Sequence, residues 1–297
     1  MLTIDPKETK TSVLHQYLLG AVAPRPIAFA STVDKDGNPN LSPFSFFNVF
    51  SANPPIAIFS PARKGKDNNT KHTFENVKEV KEVVINVVNY NMVQQMSLAS
   101  TEYAKGVNEF EKAGFTPIPS DLIKPFRVKE SPVQMECIVK EVVELGTSGG
   151  AGNLVICEII KIHIDETILD ENKMIDTNKI DLVARMGGSW YCRASGNALF
   201  EIEKPISTLG MGIDKIPASI RNSKILTGNN LGQLGNVEYL PDETDVNEFK
   251  LMELSDIFLK HQDNPKTMEF ELHKIAKQYL EECKVQEAWK TLLSFNG

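Results

Sequence analysis

The sequence predicts a mainly β protein: an antiparallel barrel with short helices over residues 1–197, followed by a mostly helical extension over 198–297. Three observations carry this prediction. Short β-branched runs alternate with turn clusters through the first two thirds of the chain, joined mainly by hairpins rather than long crossover helices. From Ala198 onward the apolar residues fall largely at helical spacing. The charge shifts at the same place, with 21 basic and 23 acidic residues up to Asn197 and 11 and 16 after it.

Each element has its own signal. Residues 27–33 (IAFASTV) read as a strand, 34–38 (DKDGN) as a turn and 41–49 as a second strand, which makes a hairpin. Residues 56–60 form a third strand between prolines, and the run VVINVV at 83–88 a buried fourth. Two longer strands, 133–145 and 154–164, are joined through the glycine-rich turn 149–153. Short helices are expected near 73–81, 92–100 and 107–113. In the extension, Val246, Phe249, Met252 and Leu254, then Met268, Leu272, Ile275, Ala276, Tyr279, Leu280 and Cys283, fall at helical intervals and read as core stripes. Asp242 and Thr244 are cap candidates for the first of these helices. Ser195-Gly196-Asn197 and Pro205 mark the organisational boundary.

Composition narrows the function. At 41% hydrophobic and 24% charged residues, the chain has an ordinary soluble composition. A net charge of −7 argues against a broad nucleic-acid surface. No apolar run approaches the roughly 18 residues of a membrane span, and the start lacks the basic and apolar regions of a secretory signal. The four cysteines lie at least 20 positions apart, without a Cys-x-x-Cys pair, which fits a reducing compartment. The expectation is a cytoplasmic protein that binds neither nucleic acid nor membrane.

Several chemistries lack their motifs: the Rossmann Gly-x-Gly-x-x-Gly, the P-loop, and the Gly-x-Ser-x-Gly elbow. The five histidines include no pair at metal-ligand spacing, so no metal site is expected. Two stretches remain informative. Residues 60–73 (SPARKGKDNNTKHT) hold four cations and one acid ahead of a helix, with Thr70 or Thr73 as its cap. Free N–H groups, the positive end of a helix dipole, hydroxyls and cations together suit a phosphate dianion. A solvated basic loop is the plainer alternative. The second stretch, Asn40-Leu41-Ser42-Pro43-Phe44-Ser45-Phe46-Phe47-Asn48, breaks strand alternation at Phe46-Phe47. One ring therefore leaves the buried face unless both faces are covered, and a planar ligand could lie over such a strand end.

Arg25-Pro26-Ile27-Ala28, Ser31-Thr32-Val33-Asp34, Asp36-Gly37 and the run from Asn40 to Asn48 resemble the flavin reductase-like family, the FMN-binding split barrels. Blocks around Arg63 and Lys71-His72-Thr73, 110–117, 130–137, 162–165 and 185–191 continue the likeness in order, over about residues 10–195. His72 departs from the family's usual Lys-Asp-Thr. The resemblance implies that Ser45, Phe46, Phe47 and Asn48 line the flavin ring, with Thr32 by its edge and Ser60 near the ribityl chain. Arg63, Lys71 and Thr73 would hold the FMN phosphate. His163 would stand near the flavin and nicotinamide faces as the catalytic candidate, and Trp190 and Tyr191 would cover the site or simply pack. It further implies a homodimer, hydride transfer from NAD(P)H to flavin N5, and a monooxygenase partner of the kind some members serve. A flavoredoxin-like electron carrier without a nicotinamide substrate is the alternative, and a structural barrel with an interaction tail is a third. Residues 209–214 and 226–235 resemble a longer subgroup and carry no assigned chemistry; the latter read as a loop.

Overall fold

The computed structural model describes every residue except 203, 205–208, 296 and 297; Pro205, one of the boundary signals, lies outside them. The chain divides into two compact units, Met1–Phe200 and Glu201–Gly297.

The first unit opens with helix α1 (Thr11–Ala21), an element absent from the expectations above. Strands β1 (Ala28–Val33), β2 (Pro39–Phe44), β3 (Phe47–Ala52) and β4 (Pro55–Phe59) follow, then α2 (His72–Glu79) and β5 (Glu82–Val87). Helices α3 (Val93–Leu98) and α4 (Glu109–Ala113) precede the short pair β6 (Pro117–Ile118) and β7 (Arg127–Val128). The long hairpin β8 (Val133–Glu144) and β9 (Asn153–Ile164) turns at the glycine-rich segment, and β10 (Leu182–Arg185) pairs with β11 (Tyr191–Ala194). Seven strands form one sheet in the order β2-β1-β5-β8-β9-β4-β3, with every neighbouring pair antiparallel.

One expectation is corrected here. Residues 41–49 are not a single strand but parts of two, β2 and β3, which are the opposite edges of that sheet. Only Ser45 and Phe46 separate them, and three Cα steps reach at most about 11 Å. The sheet must therefore curl until its edges nearly meet. The Phe46-Phe47 irregularity marks this step between edges.

β1 is buried along its whole length because both of its faces are covered. Ala28 and Ala30 face a core of Phe44, Phe59, Ile85, Met135 and Val155 inside the curl. Ile27 and Phe29 face a second core with Leu41, Met92, Met96, Phe110 and Phe115, supplied partly by α3 and α4. Burial on this scale stabilises the frame by roughly 1.5–3 kcal/mol per large apolar side chain.

The second unit is helical: α5 (Ala218–Arg221), α6 (Gly228–Gly235), α7 (Glu243–Glu253), α8 (Ser255–His261), α9 (Pro265–Glu281) and α10 (Val285–Leu293). Asp242, not Thr244, caps α7 by accepting the Asp245 N–H. The 226–235 segment, read as a loop, contains α6. Thr227 and Asn230 cap one another's backbone at its start, and this reciprocal pair offsets the poor helix propensity of its glycines. Fully buried Trp289 centres the core of this unit and donates its indole N–H to the Leu234 carbonyl at 3.1 Å.

Candidate functional site

The basic segment after β4 is held by the β8–β9 turn. The Arg63 N–H donates to the Ala151 carbonyl at 2.8 Å and the Gly150 N–H to the Arg63 carbonyl at 3.0 Å. Ser60 Oγ accepts the Asn153 N–H at 3.0 Å. A Cβ on Gly149 would lie 3.0 Å from the Lys64 carbonyl oxygen, and one on Gly152 would lie 2.9 Å from Ser60 Oγ. Gly149 thus allows two backbones to touch and Gly152 admits the Ser60 side chain, so the turn serves as a buttress for the basic loop.

That loop leads into a cleft of about 40 Å³ at the start of α2, lined by Lys64, Thr70, Lys71, Thr73, Ser42 and Glu102 among others. Lys71 occupies the cap position of α2, and no side chain among the described residues caps this end, contrary to the expected Thr70 or Thr73. Thr70 instead donates to Glu75 at 2.8 Å. Thr73 is almost fully buried, and its Oγ1 accepts from Asn40 Nδ2 at 2.9 Å. The Thr73 hydroxyl hydrogen therefore remains free to donate. Glu109 forms another part of the wall; burial pushes its carboxyl up, against the opposing hydrogen bond from the Leu41 N–H.

Of the phosphate residues implied by the resemblance, the cleft brings Lys71 and Thr73 together. Arg63 turns its Nε to Asn68 Oδ1 at 2.9 Å, and Lys64, one of the four cations of the basic run but without a role implied by the resemblance, lines the cleft instead. Only the fold shows which cation of the run faces inward.

The ring residues cluster at the step between β2 and β3. The Phe46 carbonyl accepts the Ser60 N–H at 2.9 Å, which links the ring and phosphate stretches. Phe46 is partly exposed and meets the His15 ring edge-on, whereas Phe47 packs inward. Asn48 is exposed, and its Oδ1 accepts the Val49 N–H. Ser45 Oγ accepts from Arg25 Nε at 3.4 Å. Arg25, only 5% exposed, also donates to the carbonyls of Leu19, Val22 and Met186 at 2.6, 2.5 and 3.0 Å. Thr32 has no exposed surface; it accepts from Asn76 at 3.1 Å and Asn40 at 3.4 Å, so it supports the cleft from behind.

His163 stands apart from these groups. Its Nε2 lies 2.7 Å from Glu136 Oε1, and Glu136 also accepts the Asp121 and Leu122 N–H groups at 2.8 Å each. Burial pushes the Glu136 carboxyl up, but these N–H groups and His163 outweigh it and hold it below its ordinary value. Asp121, Glu136 and His163 bring potential ligand atoms within 4.8 Å of one another. Lys161 and Arg127 pair with Asp121, however, so the cluster already carries its own cations. Trp190 is exposed, and Tyr191 packs on the second core beneath the Arg185 guanidinium.

The first unit thus carries a basic cleft at a helix start beside a curled antiparallel sheet. Residues 20–180 match the flavin reductase like domain, and the chain belongs to that family. It is 38% identical over 196 residues to an uncharacterized protein of Aquifex aeolicus, covering 66% of this chain and 97% of that one. Among solved structures it is similar to nitrilotriacetate monooxygenase component B from Bacillus cereus, at 30% identity and a TM-score of 0.63, over 68% of this chain and 98% of that one. The flavoredoxin of Desulfovibrio vulgaris (Miyazaki F) shares the fold at 20% identity and a TM-score of 0.53, over 69% of this chain and 98% of that one.

Proposed function

We propose that this chain is an FMN-binding split-barrel oxidoreductase that takes hydride from NAD(P)H. The observation that carries the reading is the cleft at the start of α2, where Lys64, Lys71 and the Thr73 hydroxyl converge beside uncapped helix N–H groups. A flavin phosphate fits this lining, whose polar groups are cations and N–H or O–H donors apart from Glu102 and the buried Glu109. Asn153 Oδ1 gives a second sign of fit: it is buried without a hydrogen-bond partner among the described residues, on the residue whose N–H binds Ser60. A ribityl hydroxyl would supply the donor it lacks.

The residues have separate tasks. Lys64, Lys71, Thr73 and the α2 N–H groups bind the phosphate, with Arg63 beside them on the same loop. Ser45, Phe46, Phe47 and Asn48 orient the ring, and Ser60 fixes the spacing between ring and phosphate. When bound, the flavin supplies the hydride-accepting chemistry, and no general acid or base is required of the protein for that step. Exposed apolar side chains, Val49 and Phe50 on β3 and Ile160, Ile162 and Ile164 on β9, support burial of apolar surface in a homodimer. The likeness to a monooxygenase component supports a partner monooxygenase that consumes reduced flavin. No helix among the described residues is long and apolar enough to cross a membrane, which is compatible with a cytoplasmic protein.

The test is a titration of the purified protein with FMN and riboflavin. FMN binds more tightly, and Lys71→Ala weakens FMN about ten-fold while leaving riboflavin nearly unchanged, as expected for a partly exposed charge-assisted bond. Equal affinities for the two flavins overturn the assignment. The engagement of His163 by Glu136 favours a second reading, a flavin-holding electron carrier without a nicotinamide substrate, because it takes up the residue assigned to the nicotinamide face. Stopped-flow reduction by NADH and NADPH separates the two.

A further inference from the structure

One carboxylate already engages both lysines of the cleft. Glu102 Oε1 lies 2.9 Å from Lys71 Nζ, and Glu102 Oε2 lies 3.5 Å from Lys64 Nζ. The fork spans the two cations much as two oxygens of a phosphate would. Hydrogen bonding to Lys71, then its charge, hold the Glu102 carboxyl below the ordinary range, so it is ionised at neutral pH. Glu102 stands on the exposed segment between α3 and α4, with 59% of its side chain accessible, whereas Lys71 is fixed at the start of α2. The carboxylate is therefore the partner free to leave.

We propose that Glu102 is an internal competitor for the anion site. It occupies the Lys64–Lys71 pair when no phosphate is present and must withdraw when one enters, so it limits flavin affinity. The proposal rests on the reading that this cleft takes the FMN phosphate. Its physical basis is charge: Glu102 halves the net positive charge of the lysine pair, and a dianion entering beside it meets a like charge. Its consequence is functional, since a competitor of this kind favours a flavin that exchanges over one held permanently. The simpler alternative is that Glu102 only keeps Lys71 in position. The two differ in sign, because neutralising a competitor strengthens FMN binding and neutralising a positioning group weakens it.

The full-length protein, Glu102→Gln and Glu102→Asp are titrated with FMN and with riboflavin at fixed ionic strength. Glu102→Gln binds FMN roughly five-fold more tightly, about 1 kcal/mol, with riboflavin unchanged and Glu102→Asp close to wild type. The gain shrinks with added salt and vanishes in a Lys71→Ala background. Unchanged or weaker FMN binding by Glu102→Gln overturns the proposal, as does equal tightening of both flavins. A wild type that does not prefer FMN to riboflavin defeats the phosphate reading, and this inference with it. A preference for FMN combined with an unaltered Glu102→Gln defeats this inference alone. Glu102 is exposed, so the substitution leaves the core intact.

Discussion

The Asn40 side-chain amide donates to the Thr73 hydroxyl at 2.9 Å, joining the second strand to the first turn of α2. The same amide lies 3.4 Å from Thr32 Oγ1, which also accepts from Asn76. Three elements, β1, β2 and α2, are thereby fixed around one side of the cleft. Replacing Asn40 by Ala removes the donor from a buried hydroxyl. The expected cost is about 1–3 kcal/mol of stability, together with weaker FMN binding as Thr73 loses its orientation. Urea unfolding and flavin titration check both; an unchanged unfolding midpoint counts against the bridge.

Glu136 gives the fold a predictable acid response. Its folded pKa lies below the unfolded value, so the stability it contributes is complete above the unfolded pKa, about 4.3. That stability is lost as the pH falls through the lower folded value, when the carboxylate bound by the Asp121 and Leu122 N–H groups takes up a proton. Melting temperature against pH should fall more steeply below about pH 4.3 in the wild type than in Glu136→Gln. Parallel curves would show that the group does not contribute.

The helical unit has a single large anchor. Trp289→Ala removes a fully buried indole and leaves the Leu234 carbonyl without its donor. A loss of about 3–5 kcal/mol is expected, which is enough to unfold a small unit. Helical circular dichroism should drop while FMN affinity stays within a few-fold. Retention of full helicity at 25 °C would mean that the core repacks around the gap.

Truncation after Asn197 examines the division of labour directly. The residues proposed to hold the phosphate and the ring all lie in the first unit, and the extension is acidic, an unfavourable setting for an anionic ligand. FMN affinity should remain within a few-fold, with stability or oligomeric state altered, as read by titration and light scattering. A soluble, dimeric truncation that has lost flavin binding would assign part of the site to the extension.

Much of this frame is legible in the chain because strands advertise themselves locally. The runs at 27–33, 83–88, 133–145 and 154–164 correspond to β1, β5, β8 and β9 within a residue or two. What escapes is set by distant partners. The end of β2 depends on β1 and the start of β3 on β4, so the step at Ser45-Phe46 reads as one irregular strand until the pairings are known. Helix α6 is hidden by its glycines and revealed by the Thr227–Asn230 pair. The family resemblance supplies Lys71 and Thr73 for the cleft, but not Lys64, Asn40 or Glu102. These converge only through the fold, from loops and strands far apart in sequence.

Arg25 has a consequence of a different kind. Burial and the nearby Arg185 charge both act against its proton, yet a guanidinium keeps that proton throughout the accessible pH range. Among the described residues its side-chain partners are carbonyls and one hydroxyl, drawn from the end of α1, the 186 turn and Ser45. Releasing any one of these segments would leave a permanent charge in the interior short of an acceptor. The three should therefore open as one cooperative patch rather than fray separately. In hydrogen exchange, the amides of Val22, Arg185 and Ser60, each bonded within or beside this patch, should become accessible with a common rate. One arginine would thus make the rim of the proposed flavin site a latch with only two positions, shut or open.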